Sequence, residues 1–106
     1  MGLFKKKYDK NVQSNNEFLK TYAIRVNGLM LFASDGKVKD ELAALKDDLQ
    51  YTVPSASQDA LSLEKKISRE FDSLAKALEK PDFDEAEVLT MIRVIRRIIV
   101  EISSLR

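Results

Sequence analysis

Apolar residues in this chain recur at intervals of three and four, and the breaks between the recurring stretches fall at the scarce glycines and prolines. That period puts one apolar stripe along a helix and predicts no strand alternation. The first stripe is Leu19, Tyr22, Ala23, Val26, Leu29, Met30 and Ala33. Ser14 and Glu17 precede it with the spacing of a capping box, in which hydroxyl and carboxylate each satisfy a free backbone N–H. A helix over 15–34 follows, ended by Ser34-Asp35-Gly36, where glycine can take a left-handed cap.

The second stripe is a narrow seam of Val38, Leu42, Leu45 and Leu49, predicting a short helix over 37–51 that stops at Val53-Pro54. A second capping-box spacing, Ser55 to Gln58, opens a helix over 56–80 with the stripe Ala60, Leu63, Ile67, Phe71, Leu74 and Leu78. Lys66 with Glu70, and Asp72 with Lys76, are spaced for i, i+4 pairing on its outer face. Lys80-Pro81 breaks the chain again. Asp84 then suits an N-cap, Glu87 the third helical position, and Phe83 with Val88 a hydrophobic staple. The last helix, 85–105, is apolar over more than half its circumference, with a polar strip of Thr90, Arg93, Arg97, Glu101 and Ser104. Its β-branched density suits a strand, but the cap and the 3.6-residue spacing of the strip decide for a helix.

Short connections force sequence-adjacent helices to run antiparallel, so the fold expected is an all-α, up-down bundle of four helices, the second one short. The fourth is expected to be central because it is apolar on two sides. A three-helix bundle with the short helix laid across one end is the alternative. Residues 14–106 form the single domain in this reading, and residues 1–13, holding Asn11 and a run of lysines, a flexible basic tail.

Composition narrows the chemistry. The 106 residues include no His, Cys or Trp. Imidazole and thiol nucleophile chemistry, disulfides and the usual zinc ligands are therefore absent. Asp82, Asp84, Glu85 and Glu87 form the densest acidic group, yet Glu87 and Arg93 stand where a calcium loop needs Gly and Glu. Acids at a helix start are accounted for by the macrodipole. The apolar stripes show no inward acid suited to a dimetal site, and no phosphate-binding glycine motif occurs. The expectation is no enzyme, no metal and no cofactor.

The net charge of +1 hides an imbalance, because residues 1–25 carry six basic and two acidic side chains. Lys5, Lys6, Lys7 and Lys10, with Arg93 and Arg97 of the polar strip, are candidate contacts to an anionic membrane or nucleic acid. A sequence pI near 7.9 is low for a nucleic-acid binder, and Glu101 stands where it can neutralise Arg97. Arg96 points elsewhere, with its stem along the core edge or its head toward an acid of the second helix.

The remaining signal is apolar surplus. Ile24 and Leu31, one heptad apart, lie off the main stripe of the first helix, Phe32 points to a third side, and Leu89 and Val100 extend beyond the main face of the last helix. These five are the candidate partner interface. The reading that follows is a small non-catalytic helical module acting by protein–protein contact, self-association into a homodimer included, with anionic-surface binding through the lysine tail as the alternative. No signal or membrane-spanning segment is evident, so a cytoplasmic location is expected.

Overall fold

The structure, a computed structural model, describes the backbone of residues 2–34, 36–55 and 57–105 and, from residue 13 on, their side chains. Among the described residues four helices are present: α1 (Gly2–Met30), α2 (Lys37–Tyr51), α3 (Asp59–Glu79) and α4 (Glu85–Ser103). No strand occurs among the described residues. Among the described residues α1 packs side by side with α2 and α3, and α4 with the same two, while α1 and α4 lie across a diagonal, as do α2 and α3. The helices thus stand at the corners of a square in the order α1, α2, α4, α3.

α2, the shortest helix, fills a corner between α1 and α4 and does not cap an end. α4 is likewise a corner and not the central element that its two apolar sides suggest. Those two sides face α2 and α3. Chain direction follows from cross-helix bonds: Asn15, Tyr22 and Arg25 of α1 meet Glu64, Ser68 and Asp72 of α3 in the same order. α1 and α3 are therefore parallel, as are α2 and α4, and the connection from α2 to α3 crosses a diagonal.

The stripes form the core as read. Leu19, Val26, Leu42, Leu45, Leu49, Ile67, Phe71, Leu74, Ile92, Ile95 and Ile102 are almost wholly shielded from water. Each such side chain contributes about 1.5–3 kcal/mol relative to an exposed one. Tyr22 sets the edge of its ring against Phe71 at 4.9 Å, and the Arg25 guanidinium lies over both rings at 4.9 and 4.7 Å.

Helix ends differ from expectation at three places. α1 does not begin at the Ser14 box; helical backbone starts at Gly2 and passes straight through it. Inside the helix Asn15 turns its side chain inward, where it accepts from the Ser55 N–H and donates to Glu64 and so does not compete for the backbone of α1. Past Met30 the chain tightens, with N–H bonds from Leu31, Phe32 and Ala33 to carbonyls three residues back. Gly36 serves the other helix: with φ 147° and ψ −163°, a region essentially reserved for glycine, it is the N-cap of α2 and accepts from the Asp40 N–H.

α3 begins at Asp59, three residues later than expected. Ser57 Oγ accepts from the Asp59 N–H at 3.1 Å, and Ser55 Oγ from the Ser57 N–H at 3.0 Å, so the two hydroxyls stage the turn in sequence. α4 starts as predicted, with the Asp84 carboxylate accepting from Ala86 and Glu87 N–H. Among the described residues neither Lys66–Glu70 nor Asp72–Lys76 forms an ion pair; Asp72 instead reaches Arg25 of α1 at 3.6 Å.

Candidate functional site

Two grooves and one buried polar chain are the features with chemistry. The first groove runs between α1 and α2, about 400 Å³ in volume, lined by Lys20, Ala23, Ile24, Asn27, Lys46 and Gln50. Antiparallel packing brings the middle of α1 beside the end of α2 here. Ile24 is 70% exposed along its rim, and Leu31, one heptad on, is 87% exposed. Phe32 is 53% exposed, in the turn that follows α1.

The second groove lies between the parallel helices α2 and α4. Arg96 closes its floor, donating from Nε to Asp48 Oδ2 at 2.6 Å and from Nη1 to Glu41 Oε2 at 3.1 Å. This is the acid on the second helix that the sequence offered it. Bonding to Asp48 leads the causes that raise the Arg96 pKa and keep it charged. Arg93, Arg97 and Val100 line the outer wall with Asp48. Arg97 makes no ion pair with Glu101. Towards the same end Asp47, Tyr51, Thr52, Val53 and Ser103 line a further recess.

The five surplus apolar residues therefore do not make one patch. Ile24 lines the α1–α2 groove and Val100 the α2–α4 groove, with α2 between them. Leu89 leaves the set altogether: only 8% exposed, it is part of the core. It lies off the main stripe, but towards the neighbouring helix that covers this side of α4. Of the candidate anionic contacts, Arg93 and Arg97 are exposed. The side chains of Lys5, Lys6, Lys7 and Lys10 lie outside the described residues.

Sequence reasoning missed the buried polar chain. Asn15 Oδ1 accepts from the Ser55 N–H at 2.7 Å, and Asn15 Nδ2 donates to Glu64 Oε2 at 2.6 Å. One side chain of α1 thereby ties the α2–α3 connection to α3. Glu64 is an inward acid on the α3 stripe, the single buried carboxylate among the described residues, which the stripe reading passed over. Burial is the leading influence on it and raises its pKa, against the bond from Asn15, which lowers it. The signal was available: Glu64 stands four residues after Ala60 and three before Ile67, on the apolar face.

Among the described residues, no three acidic side chains gather where they could hold a metal ion. Asp84 and Glu87 are exposed at the start of α4, where Asp84 caps it. No helix is long and apolar enough to cross a membrane among the described residues. Compared with known proteins, the chain matches no family, no curated protein and no solved structure.

Proposed function

We propose that this protein is a non-catalytic helical module that works by protein–protein contact, with a second copy of itself among its partners. The observation that carries this reading is the exposure of Ile24, Leu31, Phe32 and Val100 outside a core already closed by four stripes. Ile24 and Val100 each line a groove between helices, where an apolar side chain of a partner could seat. The lack of His and Cys supports the non-catalytic part, since it removes the commonest acid/base and nucleophilic groups.

Light-scattering mass over a wide concentration range tests it. A mass that climbs from monomer toward dimer is the expected result. A strict monomer, with Leu31→Glu and Phe32→Glu variants folded and unchanged in every interaction, overturns it.

A further inference from the structure

The outer face shared by α2 and α4 carries exposed acids along the middle of α2 and exposed arginines along the middle of α4, with Lys37 and Glu101 of opposite sign toward the helix ends. On α2, Asp40, Asp47 and Tyr51 are exposed, and on α4, Arg93, Arg97 and Val100. None of these four charged residues makes an ion pair among the described residues, whereas Arg96 beneath them is saturated by Glu41 and Asp48. The Arg96 bonds also set the relative height of the two helices. Lying level between Glu41 and Asp48, Arg96 puts Arg97 and Val100 on either side of the level of Asp47 and Asp48, while Ser103 shares a recess with Tyr51. Arg93 falls toward the turn of Asp40, because the helices run in the same direction.

We propose that this face is a homodimer interface, two copies meeting about a two-fold axis that runs along the bundle. The proposal rests on the protein-contact reading above and names its partner and site. Symmetry and charge together select the axis. Rotation about a line parallel to the helices lays α2 of one copy over α4 of the other at unchanged height. Asp47 then meets the turn of the second copy that carries Arg97 and Val100, and this contact is made twice. A two-fold axis across the bundle would lay α2 on α2 and α4 on α4, opposing acid to acid and base to base. The small, half-buried Ala44 on the same side of α2 leaves room for close approach.

Sedimentation of two charge reversals, Asp47→Arg and Arg97→Asp, tests this face. Each alone sets like charges opposite one another twice and weakens the dimer by about tenfold or more. Mixed in equal amounts they recover it, because each altered helix then faces its complement and each unaltered pair is retained. Helical circular dichroism of each variant confirms that loss of mass is loss of association. If both reversals dimerise as tightly as the parent while Leu31→Glu does not, the contact reading stands and this face is overturned. A parent chain that is monomeric at every concentration overturns the face together with self-association.

Discussion

Asn15 and Glu64, forty-nine positions apart, are joined by a hydrogen bond of 2.6 Å that is buried at the end of the bundle where α2 hands over to α3. Because Asn15 also accepts from the Ser55 N–H, removing it strands two groups at once. Asn15→Ala is expected to cost about 1–3 kcal/mol, the range for leaving a buried polar partner unsatisfied. Urea unfolding measures it, and a change under about 0.5 kcal/mol, the scatter of ordinary surface substitutions, would show that water replaces the side chain without loss.

Glu64 carries a pH dependence whose sign follows from burial. Its folded pKa is raised, so the protonated acid is the form that the fold favours. The stability this contributes is fully present below the unfolded value of about 4.3 and is lost as pH rises through the folded value. Glu64→Gln keeps an acceptor for Asn15 Nδ2 and removes the charge. It is expected to equal or exceed the parent in stability at neutral pH, with the advantage shrinking as pH falls through the carboxylate range. Denaturant midpoints of both proteins across that range check it. An advantage that grows toward acid would reverse the assignment.

How much of this was readable in the chain depends on the kind of interaction. Stripes such as Leu19-Val26 and Ile67-Phe71-Leu74 are local patterns, and every member lies in the core. The Asp84 cap is local too, since donor and acceptor are two or three residues apart. The Ser14 box has the same local grammar but caps nothing: helix runs through it, and Asn15 beside it is claimed by partners 40 and 49 residues away. Asp72 is likewise lost as a helix-face partner, drawn to Arg25 of α1. The order of helices round the square, and hence which surplus apolar residue is covered, is set by packing between segments that no single stripe describes.

Caps give the sharpest contrast between two similar-looking motifs. Asp84→Ala removes an acceptor from two N–H groups at the start of α4 and should cost about 1 kcal/mol. Ser14→Ala replaces an exposed residue inside α1 with a better helix former and should be neutral or slightly stabilising. Thermal midpoints of the pair decide it; equal losses would mean that α1 is capped at Ser14 in solution.

Arg96 spans Glu41 and Asp48 while about a third of each partner stays open to solvent. Solvent screening holds such pairs to modest values, and two of them on one guanidinium share its ordering cost. Arg96→Ala is expected to destabilise by about 1–2 kcal/mol, combining lost bonds with the lost stem packing. In a double-mutant cycle with Asp48→Asn the coupling should be about 0.5–1 kcal/mol and should shrink in high salt. A coupling near zero would leave the fork as geometry without energetic consequence.

Leu89 and Val100 are indistinguishable as surplus apolar residues on the last helix, yet one is 8% and the other 62% exposed. Leu89 lies toward the N-terminal end of α4, where it joins the core cluster, while Val100 opens on the groove where Arg93 and Arg97 stand. Leu89→Ala should therefore leave a cavity and cost about 2–5 kcal/mol. Val100→Ala removes two exposed methyls and should stay within about 0.5 kcal/mol in the monomer. Its effect should appear instead in association, because Val100 belongs to the face proposed to meet a second copy. Unfolding at low protein concentration isolates the first effect, and concentration-dependent mass isolates the second. A Val100→Ala variant that loses stability as a monomer but associates normally would place this residue in the fold and not in the interface.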